Sequence, residues 1–231
     1  MNKIAILQSN YIPWKGYFDL INSVDTFIFY DTVQFTKNDW RNRNQIKNQQ
    51  GLQWLTIPVI QNSLNQKICE TKICNQLWKR KHLQAIELNY KKSNFFREIF
   101  EIIIDLYDIE YEFLSEINQS IIRKICDLLN IHTTIISTET LHLQGDKTEK
   151  LIDACKKLNA DVYISGPSAK NYIEKNLFEK ENITLEWIDY TSYELHNQMH
   201  LPFQHNVSII DTLFNLGVEK TEKYIKNKCR F

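Results

Sequence analysis

The amino-acid sequence predicts an α/β fold built on a mainly parallel sheet flanked by helices. Three observations carry that reading. Short apolar runs of strand length alternate with stretches whose apolar residues recur every three or four positions. Of 231 residues, 43% are hydrophobic and 12% aromatic, enough for one sizeable core. Only 5 Gly and 4 Pro are present, leaving no flexible linker at which to divide the chain. One domain over residues 1–231 is expected, with a helical subdomain at 75–130.

Residues 3–7 (KIAIL) and 26–30 (TFIFY) are strand candidates, and 16–24 (GYFDLINSV) between them has helical spacing. A connection of that length suits a parallel βαβ unit. The loop 8–15 then sits at the carboxyl end of the sheet, where open α/β folds bind ligands. Residues 53–60 (QWLTIPVI) form another strand, with Pro58 arguing for an edge or a strand end. A helical stretch over 75–107, broken near 92–94, precedes a helix at 113–129 and a β-branched strand at 132–137 (HTTIIS). The alternation then resumes with helix 147–158, strand 161–165, helix 169–181 and strand 184–190. A last amphipathic helix, 208–216, is expected to stop at Gly217. Together these elements describe a Rossmann-like sheet with a central helical insertion.

Lys plus Arg equals Asp plus Glu at 28 each, so no long-range field draws the chain to nucleic acid or an anionic membrane. A small phosphorylated ligand is still compatible, because it needs one cation and a few backbone donors. The cysteines at 69, 74, 126, 155 and 229 are odd in number and lack zinc-ligand spacing, so free thiols and no metal are expected. No apolar run reaches the roughly 18 residues that span a bilayer. The N-terminus (MNKIAILQSNY) starts on a strand rather than a signal peptide, so a soluble, cytoplasmic protein without membrane insertion is expected.

Chemistry-bearing residues concentrate in a few loops. Gln8, Tyr11 and Trp14, with Tyr17 just beyond, put aromatic faces and an amide into the first loop, as ligand pockets do; a loop that only plugs the sheet is the plainer alternative. After the second strand, Asp31, Gln34, Lys37, Trp40, Arg41, Asn42, Arg43 and Asn44 make a donor-rich segment suited to phosphate and sugar hydroxyls, or simply a solvated turn. His82 and His200 are candidate general bases, since imidazole titrates near neutrality, with Asp211 as a candidate orienting carboxylate. Gly166 and Ser168 bracket a Gly-Pro-Ser turn whose amides suit a phosphate or an oxyanion.

The ordered motifs Q-x2-Y-x-P-W-x-G-Y-F-x-L-I, D-x-V-Q-F-x-K-x2-W-x-N-R-N and W-L-T-I-P-V run from Gln8 to Val59. W-K-R-K-H at 78–82, K-T-E-K-L-I at 147–152, Y-I-S-G-P-S-A-K-N-Y at 163–172 and Q-M-H-L-P-F-Q-H-N-V-S-I-I-D-T-L-F-N-L-G at 198–217 follow in the same order. In this the chain resembles the WbqC-like family found among bacterial surface-polysaccharide genes. The resemblance implies a role in O-antigen, lipopolysaccharide or related glycan biosynthesis. The expected reaction is transfer of an acyl or aminoacyl group to the amine of a nucleotide-linked amino sugar, from a carrier-protein or coenzyme A thioester. Arg41 or Arg43 would then hold the diphosphate, Tyr11, Trp14 and Trp40 would line the pocket, and His82 or His200 would be the base. Two alternatives stay open. One is a non-catalytic scaffold of a glycan-synthesis complex. The other is a nucleotide-dependent activating enzyme, because the first unit is laid out like nucleotidyltransferases with an H-x-G-H loop, although Trp14 and Tyr17 stand where the histidines would be.

Overall fold

The computed structural model describes residues 1–226, so Cys229 lies outside the described residues. Five parallel strands form the central sheet: β1 (Lys3–Leu7), β2 (Thr26–Phe29), β7 (Thr134–Ser137), β8 (Val162–Ser165) and β9 (Thr184–Trp187). Their spatial order is β7-β2-β1-β8-β9. The chain therefore builds outward from β1 in one direction, then returns and builds in the other, making the space above β1 and β8 a topological switch point.

Period-two alternation buries both faces of this sheet. Ala5, Phe27, Phe29, Val162 and Ile164 join one apolar cluster with helices α1 (Lys15–Asn22) and α4 (Leu114–Leu128), and with α7 (Ile209–Lys226). Ile4, Ile6, Ile28 and Tyr163 point the other way, toward α5 (Lys147–Lys157) and α6 (Lys175–Lys180). A parallel sheet needs both covers, and each side chain of this size stabilises the fold by roughly 1.5–3 kcal/mol.

The segment between β2 and β7 is the insertion. It holds the antiparallel hairpin of β3 (Arg43–Asn48) and β4 (Gly51–Thr56), the two-residue ribbon of β5 (Val59–Ile60) and β6 (Lys72–Ile73), and helices α2 (Leu77–Tyr90) and α3 (Phe96–Asp108). Helix α4 closes the insertion and leads back into β7. The break between α2 and α3 falls where the sequence suggests, near residues 92–94.

Three elements differ from the sequence reading. The donor-rich segment ends in a strand rather than continuing as a turn, because Ile46 is buried while the hairpin partner supplies its hydrogen bonds. The strand expected at 53–60 divides into β4 and β5, and Pro58 at the division has no N–H for a ladder. The helix expected at 169–181 becomes a 3-10 turn, Pro167–Asn171, followed by the six-residue α6. There Thr148 Oγ1 accepts the Glu174 amide at 3.3 Å, so a side chain of α5 takes a donor that a continuous helix would have used.

Helix α7 stops at Gly217 as its sequence suggests, but the chain restarts immediately beyond. Gly217 has φ 76° and ψ 175°, and a Cβ there would lie 2.6 Å from the Phe95 ring. Only glycine satisfies both the backbone and the ring. Gly217→Ala is expected to destabilise the protein by about 2 kcal/mol or more, read as a lower urea midpoint at unchanged slope.

Candidate functional site

The largest cavity, about 600 Å³, opens at the carboxyl ends of β1, β2 and β8, at the switch point. Its floor is the sheet edge: Gln8 after β1, Tyr30 after β2, and Ser165 to Ser168 after β8. Lys147, Thr148 and Lys150 approach from the first turns of α5, and Tyr163, Tyr172 and Tyr190 supply aromatic walls. Lys147 and Lys150 line the crevice, while Asp146 at the N-cap and Glu149 in the first turn complement the helix dipole.

A smaller cavity of about 220 Å³ lies beside it, lined by Asn10, Pro13, Trp14, Trp40, Asn44 and Asn206. Trp14 is common to both cavities. Its indole folds over Gly16, where a Cβ would come within 2.3 Å of the ring, and it packs edge-on against Tyr190 at 4.9 Å between centroids. The W-x-G spacing is thus a requirement for the placement of this ring.

The loop between β1 and α1 is held from several sides. Tyr17 donates its hydroxyl to the Gln8 carbonyl at 2.9 Å. The Ser9 amide donates to Asp31 Oδ1 and Gln119 Nε2 to Asp31 Oδ2, both at 2.8 Å. Burial raises the pKa of Asp31, and these same donors oppose the rise. Asn44 Nδ2 bonds the carbonyls of Tyr11 at 3.0 Å and Ile12 at 2.8 Å. Ile12 has φ 40°, a costly conformation for a β-branched residue, and the Asn44 amide lies against it. Arg41 donates Nη1 to Asn10 Oδ1 and pairs with Asp39 at 3.4 Å.

The remaining sequence candidates lie around these cavities in distinct roles. Trp40 and Trp54 are half exposed with ring centroids 5.6 Å apart, and the Arg43 guanidinium sits 4.1 Å over Trp54. Asn42 is buried and donates to the Ile57 carbonyl at 3.0 Å. Gln34 bonds the Leu64 carbonyl at 2.6 Å, and Lys37 is exposed in the turn before Asp39; neither lines a cavity described above. Gly166 and Ser168 line the large crevice, on the 3-10 turn rather than at an α-helix N-terminus.

His82 is buried among Tyr11, Trp78 and Tyr107, away from both cavity walls. Its Nδ1 is 2.8 Å from the Tyr11 hydroxyl, which also meets the Tyr107 hydroxyl. Burial pushes the imidazole down to about 4, opposed by a hydrogen bond to the Thr56 backbone. His200 Nε2 lies 3.1 Å from the Asn89 carbonyl, which can only accept, so this nitrogen carries the proton. Asp211 is fully buried, and its oxygens take Tyr90 O–H at 2.7 Å and Gln198 Nε2 at 2.6 Å rather than an imidazole. Burial raises its pKa against those two bonds.

Lys147, Thr148, Lys150, Tyr163, Tyr172 and Tyr190 are site residues that the sequence reading did not single out. A signal was available for the lysines, because K-T-E-K opens a helix that follows a strand. Among the described residues there is no group of three or more potential metal ligands and no helix long and apolar enough to cross a membrane.

The family model described as the WbqC-like protein family matches residues 8–223. A Mycobacterium tuberculosis protein named "Uncharacterized protein Rv1507c" is 44% identical over 221 residues, covering 95% of this chain and 96% of that protein. No solved structure matches the chain.

One buried and one half-buried histidine tie stability to pH. His196, packed against Phe203 and Tyr224, is held near 4 as His82 is, chiefly by burial and then by the nearby Lys15 and His205. Between 6.5 and about 4 the unfolded chain binds protons that these folded imidazoles refuse, so stability is lost as pH falls through that window. Asp31 and Asp211, with raised values, act in the opposite sense at their own titrations. Urea unfolding at about pH 7 and about pH 5 is expected to show a clear loss at the lower pH. A folded His82→Gln variant is expected to lose less between the two.

Proposed function

The chain belongs to the WbqC-like protein family, and from that premise we propose that it binds a nucleotide-linked amino sugar and acylates the sugar's amine in surface-glycan synthesis. The donor in this reading is a carrier-protein or coenzyme A thioester. The observation that carries the reading is the crevice at the switch point, with Lys147 and Lys150 on one wall and the Gly166 to Ser168 turn on its floor. A diphosphate would pair with Lys147 and Lys150, which face the crevice, while Asp146 and Glu149 cap the start of α5 beside them. Tyr30, Tyr172 and Tyr190 offer flat faces for a base or a sugar.

The chemistry balances without a further reagent. The amine lone pair attacks the thioester carbonyl, a C–N bond forms as the C–S bond breaks, and the proton lost by nitrogen leaves with the thiol. In this reading His82 is a positioning residue, holding Tyr11 and through it the loop that carries Asn10 and Trp14. His200 and Asp211 brace the segment before α7 in the same way, through Asn89, Tyr90 and Gln198.

Calorimetric titration with dTDP- and UDP-linked 4-amino sugars is expected to show saturable binding. The paired substitution Lys147→Gln and Lys150→Gln is expected to weaken it by roughly tenfold or more and to flatten its salt dependence. With thioesters present, mass spectrometry is expected to show the acyl increment on the nucleotide sugar. Binding that ignores both lysines, or no binding at all, would remove the crevice from this function.

A further inference from the structure

The two cavities that meet at Trp14 differ in chemistry. The crevice is cationic at its lip, through Lys147 and Lys150. The smaller cavity has no charged residue among its six lining residues; its walls are two indoles, a proline and three asparagines. We infer that this smaller cavity is a subsite for one saccharide ring, walled off from the anion-binding crevice by Trp14. The inference deepens the function proposed above and rests on it in one respect: the ring is taken to be the glycosyl part of the same nucleotide-linked ligand.

The argument is one of complementarity. A pyranose presents apolar C–H faces and an edge of hydroxyls that both donate and accept. Indole faces match the first, because they offer a large apolar area at little cost in side-chain entropy. Carboxamides match the second, since one Asn side chain carries both N–H donors and a carbonyl acceptor. Asn10 has its Oδ1 engaged by Arg41, which fixes the side chain and turns its N–H donors into the fixed element. Asn206 is exposed at the rim, whereas Asn44 spends its amide on the Tyr11 and Ile12 carbonyls and serves as wall.

The pocket is also kept open. Trp14 is pinned by Gly16 and Tyr190, and Trp40, although 41% exposed, packs at a tilt against Trp54, whose own ring lies under the Arg43 guanidinium. Neither indole can fold into the cavity without giving up those contacts. A volume of about 220 Å³ suits one substituted six-membered ring, while the neighbouring 600 Å³ is left for the nucleotide.

The test uses four probes: methyl N-acetylglucosaminide, uridine, UDP, and UDP-N-acetylglucosamine. Saturation-transfer NMR is expected to report contact with the pyranoside in the wild-type chain and its loss in Trp40→Ala. Calorimetry is expected to give equal UDP affinity in the two proteins, but a roughly tenfold weaker UDP-N-acetylglucosamine affinity in Trp40→Ala. Asn206→Trp, which fills the pocket from an exposed position, gives the same pattern and stands in should Trp40→Ala fail to fold. The inference is overturned if the wild-type chain gives no transfer to the pyranoside, if transfer survives both substitutions, or if uridine displaces the pyranoside. Failure of UDP to bind the wild-type chain sinks the crevice reading alone, since the pyranoside arm contains no phosphate.

Discussion

The Asp31 carboxylate ties together the parts on which the site depends. It stands at the end of β2, takes the Ser9 amide at the end of β1, and takes the Gln119 amide from α4. Three segments far apart in sequence are thereby fixed to one buried group. Burial of a carboxylate is costly, and Asp31 is retained in the core only because both oxygens find donors. With Ser9 held, the following residues through Trp14 have a fixed starting point, and the bonds from Asn44 and to the Trp40 carbonyl fix the rest of the loop.

A second buried carboxylate does similar work on the other side of the molecule. Asp211 joins α2, through Tyr90, to the segment before α7, through Gln198, and Tyr90 also receives the Lys47 amide from β3 at 3.0 Å. The start of α7 is bonded directly to the site loop and the hairpin, as the Ser208 amide donates to Gln45 and the Ile209 amide to Pro13, each at 2.9 Å. Asp211, expected as an orienting carboxylate, and Asp31, expected as a binding residue, both brace one element against another.

How much of this was legible beforehand follows from the kind of signal each part leaves. The strands of the parallel sheet are runs such as KIAIL and TFIFY, where burial on both faces writes itself into composition, and these were found within three residues at each end. The hairpin strand β3 was not found, because RNRNQIKN has a single buried apolar residue and depends on its partner strand for definition. Topology alone marked the carboxyl end of β1 as a candidate site, and Gln8 and Trp14 line the crevice there. The lysines of α5 stood in a quoted motif, K-T-E-K-L-I, but were not named as site candidates, because they gain meaning only when strand order brings that helix over β1 and β8. The histidines showed the opposite failure: residue type suggested reactivity, while burial, which sequence does not display, made His82 a core residue.

The two cavities share the loop after β1 but draw most of their other walls from different parts of the chain. Gln8, Tyr163 and Gly166 come from the sheet and its own turns, whereas Trp40 and Asn44 come from the insertion between β2 and β7. Trp40 can therefore be exchanged without disturbing the strand ends, provided Gln119 still holds Asp31 on the Ser9 amide and Asn44 still clasps the Ile12 carbonyl. Change in what the smaller cavity accepts is open to drift in one separable segment, while the larger crevice is bound to the sheet that makes the fold.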